Sequence, residues 1–277
     1  AHGDRTNRKR ARLKYVLDRL GRDVFVKEVE REYGAPLRRA AGADVAPRPL
    51  ADKAGHIGVH AQKQPGRNYI GLVLPVGRIT TGQMRGLAEV AERFGSGTLR
   101  LTVWQNLLIS DIADRDVGVC IAAIQALGLA VEASAVRSGL VACTGNAGCK
   151  FAAANTKGHA LRLADYLEAR LAIDLPINIH LTGCHHSCAQ HYIGDIGLIA
   201  TKVERDDDSI EGYHVFIGGG AAAANEQAMA REYAQSVAFD DLLPLLESLI
   251  AAWLDHRRMP TESFFEFCRR HEIGQLS

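Results

Sequence analysis

A chain of 277 residues predicts about two domains and leaves ample length for a buried core. With 47% hydrophobic and 23% charged residues it reads as an ordinary globular protein, and 33 Lys and Arg against 32 Asp and Glu leave a net charge of +1. That balance excludes a polycation that coats nucleic acid and an acidic solvating tail. The longest strongly apolar stretch, Leu242 to Leu254, is broken by Pro244 and Glu247 and falls short of the roughly 18 residues of a membrane span, so no membrane segment is expected. Ala1-His2-Gly3-Asp4-Arg5 carries no apolar signal core, which makes the cytoplasm the expected location. Six cysteines are too few for a disulfide scaffold, and four of them fall in two tight pairs, which in a reducing compartment points to metal.

In chain order, Thr6 to Leu20 and Val24 to Tyr33 show helical spacing and stop at Gly21 and Gly34. Gly34 to Lys53, with three prolines, reads as a linker. From about residue 56 to 128 the pattern is strand, helix, strand, helix. Tyr69 to Leu74 is a buried strand. Thr80 and Gln83 form a capping box for a helix whose inner face is Met84, Leu87, Ala88, Ala91 and Phe94 and which ends at Gly95. Leu99 to Ile109 alternates as a second strand, and Val117 to Leu127 is a helix carrying Cys120. This is half of a ferredoxin-like sandwich.

From residue 129 the reading is α/β. Leu161 to Leu171 is a helix and Ile177 to Leu181 a strand. Ile193 to Val203 and Tyr213 to Ile217 are strands joined by the charged turn Glu204 to Ser209, and helices over Asp240 to Asp255 and Thr261 to Arg270 close the chain. Gly218-Gly219-Gly220 follows a strand, but what comes after reads as helical and Ala-rich with no second Rossmann strand, so a tight turn is expected there rather than a nucleotide site. No P-loop, flavin or NADPH motif is present.

The chemistry lies in Cys143-Thr144-Gly145-Asn146-Ala147-Gly148-Cys149, a C-x5-C loop, and Cys184-His185-His186-Ser187-Cys188, a C-x3-C loop. Four thiolates suit an iron–sulfur cube, and loops rich in Gly and Thr offer backbone N–H groups to its sulfides. A zinc site and plain structural cysteines remain alternatives on spacing alone. Cys120 and Cys268 sit on apolar helix faces and read as small buried hydrophobes.

Cys143 to Lys150, Asn155-Thr156-Lys157 and Asn178 to Gly197, together with Arg100-Leu-Thr102-Val-Trp104-Gln105-Asn106, closely resemble the assimilatory siroheme nitrite and sulfite reductases. The resemblance implies a fold of class α/β (α+β), a ferredoxin-like half domain followed by a siroheme and [4Fe-4S] α/β domain with a mixed sheet. On this scheme residues 1–45 are the last helices of a preceding, largely missing α/β domain plus a linker, 46–128 the half domain and 129–277 the cofactor domain. It implies that Cys143, Cys149, Cys184 and Cys188 ligate one [4Fe-4S] cluster and that Cys188 also bridges to the siroheme iron. The tetrapyrrole carboxylates call for basic and amide partners, for which Arg100, Gln105, Asn106, Asn146 and Lys150 are candidates by position, with His186 in the last cysteine loop.

The family reduces nitrite to ammonium or sulfite to sulfide, in each case by six electrons. The loop details favour nitrite, whereas Asp4 to Tyr15 looks much like the sulfite enzymes. Ferredoxin is the implied donor. Arg12 and Lys14, two apart before Tyr15, match the family's substrate-anion cations, while the corresponding second-half position, Trp104, can pack but brings no cation. The other partner implied is the N-terminal half of the enzyme. A plain electron-transfer iron–sulfur protein is the rival from another class.

Overall fold

The computed structural model describes residues 6, 13–41, 54–221 and 227–275. The chain divides into two compact units, Ala1–Pro47 and Arg48–Ser277. In the first, helices α1 (Leu13–Leu20) and α2 (Arg22–Tyr33) are separated by Gly21 at φ 75°. Gly34, in the left-handed region, ends α2 and donates its N–H to Glu30 O at 2.9 Å. Residues 7–12 of the expected first helix, Arg12 among them, lie outside the described residues. Within them the helix begins at Leu13, which puts Lys14 in its first turn.

The second unit opens with strands β1 (Gly58–Ala61) and β2 (Arg67–Leu72), helix α3 (Thr81–Phe94), strands β3 (Leu99–Leu101) and β4 (Leu107–Ala113) and helix α4 (Val117–Ala126). They form an antiparallel sheet ordered β1-β2-β4-β3. Period-2 burial turns Ile70 and Leu72 of β2 and Ile109 of β4 into the core with Leu87, Val90 and Ala91 of α3 and Cys120 and Ile124 of α4. The capping box at Thr80 and Gln83 forms as expected.

Two expectations for this region change. Leu99 to Ile109 is a hairpin rather than one strand. Its turn is closed by Thr102 N–H donating to Asn106 O at 2.9 Å and by Asn106 N–H donating to Thr102 Oγ1 at 3.0 Å, with Gln105 at φ 61°. No Gly or Pro marks this turn, so apolar alternation runs through it unbroken. On α3, Met84 is 54% exposed and Ala88 is exposed, while Val90 takes a core place.

Beyond residue 128 a five-stranded mixed sheet, ordered β11-β8-β7-β6-β5, carries the rest. Strands β5 (Leu140–Ala142), β6 (Ile179–Thr182) and β7 (Ile196–Arg205) run parallel, and β8 (Asp208–Ile217) and β11 (Arg231–Ala238) add on antiparallel. Helix α5 (Thr156–Glu168) makes the crossover from β5 to β6, and α6 (Phe239–His256) packs beside it on the same core. Short strands β9 (Gly220–Ala221) and β10 (Gln227–Ala228) and helix α7 (Phe264–Arg269) complete the unit.

Helix α5 starts five residues earlier than its apolar spacing suggests, because Asn155 caps a polar first turn by accepting from Gly158 N–H at 3.2 Å. The segment read as helical before Asp240 contains strands β10 and β11. Register shifts at Glu232/Ala234 and Ala234/Val237 break the alternation by which β11 would be recognised. At the triglycine the chain bends at Gly218, with φ 69°. Gly218 N–H donates to Asp195 O at 2.9 Å, and a Cβ on Gly219 would stand 2.3 Å from Tyr192 O.

Candidate metal centre

Adjacent parallel strands deliver both cysteine loops to one edge of the sheet. Ala142 of β5 lies opposite Leu181 of β6, and each strand ends next to its cysteine: β5 runs directly into Cys143, β6 into Cys184 after Gly183. The loops are laced together. Cys143 N–H donates to Leu181 O at 3.0 Å, and Ala153 N–H donates to Gly183 O at 2.8 Å. Gly183 leaves no room for a side chain: a Cβ there would lie 2.5 Å from Ala152 Cβ and 3.3 Å from Cys143 Sγ. Its N–H donates to Cys143 Sγ at 3.1 Å.

Within the first loop Gly145 takes φ 70°, and Cys149 N–H donates to its carbonyl at 2.9 Å. Thr156, fully buried at the start of α5, donates its hydroxyl to Cys143 O at 2.7 Å and lies 3.6 Å from Cys143 Sγ. In the second loop Ser187 N–H donates to Cys184 O at 3.1 Å, and Ala189 N–H donates to Thr182 Oγ1 at 3.0 Å. His186 Nδ1 lies 3.6 Å from Cys184 Sγ.

None of the six cysteines forms a disulfide. Burial pushes the Cys120 thiol up to about 11 and raises Cys268 further, as befits inert core residues. Cys143, Cys149 and Cys184 are partly exposed and Cys188 is exposed. Among the described residues, no three His, Cys, Asp or Glu side chains converge as they would on a single ion. Soft thiols on two facing loops, with the Gly183 N–H directed at the Cys143 sulfur, fit a [4Fe-4S] cluster.

The remaining expected residues separate into groups. Lys150 is exposed at the end of the first loop with Nζ 5.3 Å from the centre of the Phe151 ring, and His186 meets the same ring edge-on at 5.2 Å. This exposed cation, ring and imidazole beside Cys149 and Cys184 fit a large conjugated group bearing carboxylates. Arg100, exposed on β3, contributes to lowering the pKa of Asp111, after the hydrogen bonds from Ser96 and Gln62. Gln105 and Asn106, expected as carboxylate partners, are engaged otherwise. Gln105 exchanges two hydrogen bonds with the backbone of Ala142. Asn106, buried, accepts from Leu74 N–H at 3.0 Å and meets His56 Nε2 at 2.9 Å. Asn146 donates to Glu211 Oε1 at 2.6 Å. Lys14, exposed on α1 with Nζ 4.9 Å from the centre of the Tyr15 ring, belongs to the first unit.

Two residues of the quoted motifs take places that the sequence reading did not assign. Lys157 is half-buried and donates to Val76 O, pinning α5 to the half domain; burial lowers its pKa, Arg78 adds to this and Cys143 opposes it. Trp104 stands edge-on to His180 at 5.9 Å and stacks on His56 at 6.4 Å. Reading Asn155 as a helix cap would have placed Thr156 and Lys157 at the cluster loop.

Residues 60–127 match the nitrite/sulfite reductase ferredoxin-like half domain, and residues 133–262 match the nitrite and sulphite reductase 4Fe-4S domain. The chain is 38% identical over 254 residues to a ferredoxin–nitrite reductase of Synechococcus elongatus, covering 90% of this chain and 48% of that one. It is 33% identical over 282 residues to a ferredoxin sulfite reductase of Mycolicibacterium paratuberculosis, covering 99% and 50%. The solved structure of the Mycobacterium tuberculosis NirA protein superposes with a TM-score of 0.86 at 32% identity over 99% of this chain and 50% of that one. The chain thus spans about half the length of these relatives. The matched half domain, the matched 4Fe-4S domain and the paired cysteine loops on β5 and β6 place the chain in the nitrite and sulfite reductase family.

Proposed function

We propose that this chain is the cofactor-binding C-terminal portion of a siroheme and [4Fe-4S] reductase that takes nitrite to ammonium with electrons from ferredoxin. The observation that carries the reading is the pairing of the C-x5-C and C-x3-C loops at the ends of β5 and β6. Cys143, Cys149, Cys184 and Cys188 would hold the cluster, and Cys188, the most exposed of the four, would also serve the siroheme iron. When bound, siroheme supplies an iron that accepts the anion, and the cluster supplies electrons one at a time.

The chain's own residues bind and orient. Lys150 and His186, with Arg100, serve siroheme carboxylates. Gln105 and Asn106 serve indirectly, by fixing the hairpin that docks on Ala142. Lys14 and Arg12 supply positive charge for the substrate anion, whose oxygens leave as water and need protons. Residues 1–45 then comprise the last helices of the preceding α/β domain plus a linker, 46–128 the half domain and 129–277 the cofactor domain. Thiols that must stay reduced suit the cytoplasm.

Ammonium production driven by reduced methyl viologen, measured with and without the separately made N-terminal half, tests the reading. Activity is expected only with both parts present, and its absence from the combined parts would overturn the assignment. Sulfite reduction is the second reading. It is favoured by the sulfite reductase relative, which aligns over 99% of the chain where the nitrite reductase relative aligns over 90%. Comparing kcat/KM for the two anions decides between them.

A further inference from the structure

We propose that Glu211, on β8, is a positioning residue that holds the Cys143–Cys149 loop in cluster-ready shape. The inference rests on the cluster assignment above. Its carboxylate takes two donors from the segment that contains the loop: Asn146 Nδ2 at 2.6 Å on Oε1 and Asn155 N–H at 2.9 Å on Oε2. His159 Nε2 stands 3.5 Å from Oε2, and the same ring meets Tyr213 OH, two residues along β8, at 2.9 Å through Nδ1. One strand therefore fastens both the middle of the cysteine loop and the first turn of α5, whose Thr156 touches Cys143. Loop and helix start are otherwise joined to each other, through Asn146 N–H to Ala154 O at 3.0 Å. Glu211 ties that pair to the sheet. Bonds to an ionised acceptor are the strong ones, and both donors need an acceptor.

The chemistry gives a reciprocal test. In Glu211→Gln the side chain still accepts from one donor but turns an NH2 toward the other. In Asn146→Asp two carboxylates face each other. In the double variant the amide introduced on β8 donates to the carboxylate introduced in the loop, while its oxygen accepts from Asn155, so both bonds return. The readout is cluster absorbance of the full 277-residue chain, reconstituted anaerobically, and its rate of loss to an iron chelator. Each single variant is expected to lose the cluster at least about fivefold faster than wild type, and the double variant within about twofold of it. Glu247→Gln, which alters a carboxylate bonded to Tyr166 instead, leaves the rate unchanged.

Single variants that match wild type would overturn the proposal, as would a double variant no better than the worse single or an equal effect from Glu247→Gln. If Glu211→Gln does not fold, Asn146→Ala carries the test, since it removes one donor and creates no clash. A rate unchanged in that variant also overturns the proposal. A wild-type chain that takes up no iron and sulfide removes the cluster assignment itself, whereas a loaded wild type with indifferent variants removes only the role of Glu211.

Discussion

The side-chain amide of Gln105 pairs with the backbone of Ala142 as a neighbouring strand would, donating to its carbonyl at 2.8 Å and accepting from its N–H at 3.2 Å. Ala142 immediately precedes Cys143, so the half-domain hairpin and the first cysteine loop meet at one residue. Gln105→Leu leaves the Ala142 carbonyl and N–H without these partners and is expected to cost about 1–3 kcal/mol in urea unfolding. Gln105→Glu should cost a similar amount, because a carboxylate has no hydrogen to donate to Ala142 O. Unchanged midpoints in both variants would contradict the pairing.

Gly183 packs directly against the first loop. A methyl group there meets Ala152 Cβ and Cys143 Sγ, so Gly183→Ala must push the loops apart. Overpacking of this kind costs about 1–3 kcal/mol. Iron bound per chain should fall well below wild type, and normal iron content with normal stability would show that the loops are not so tightly joined.

His191 links the second loop to pH. It is buried, its Nδ1 lies 2.8 Å from Ser187 Oγ, and burial, with His185 and His180 nearby, lowers its pKa to about 4. The unfolded chain takes up this proton near 6.5 and the folded one does not. The resulting stability is complete above the ordinary histidine value and is lost as pH falls from there toward 4, with a slope of at most about 1.4 kcal/mol per pH unit. Denaturant midpoints measured between about pH 7 and pH 4 should decline less steeply in His191→Gln, and parallel profiles would remove His191 as the cause.

How far the sequence discloses all this depends on whether a signal is local. The cysteine spacings and the capping box of Thr80 and Gln83 are short-range patterns, and the structure shows the two loops side by side and the capping box formed. The Thr102–Asn106 turn and the edge strand β11 were not legible, because one is made by a left-handed Gln and side-chain bonds and the other has its alternation interrupted by register shifts. Gln105 shows why site roles are harder. Its position beside the cofactor loop is legible, but its use on Ala142 depends on a contact 37 residues away. Glu211, 65 residues from Asn146, looks like one more acid in a charged hairpin.

The central claim is that Cys143, Cys149, Cys184 and Cys188 hold one [4Fe-4S] cluster, and metal and acid-labile sulfide analysis with a visible spectrum tests it most directly. About four irons and four sulfides per chain are expected, with bands further red when siroheme is supplied. Changing any one of these cysteines to Ser replaces a soft thiolate with a poor iron ligand and should abolish wild-type cluster content, whereas Cys120→Ser and Cys268→Ser should still bind iron. A colourless chain that holds zinc, or full cluster content in all four single variants, would contradict the account.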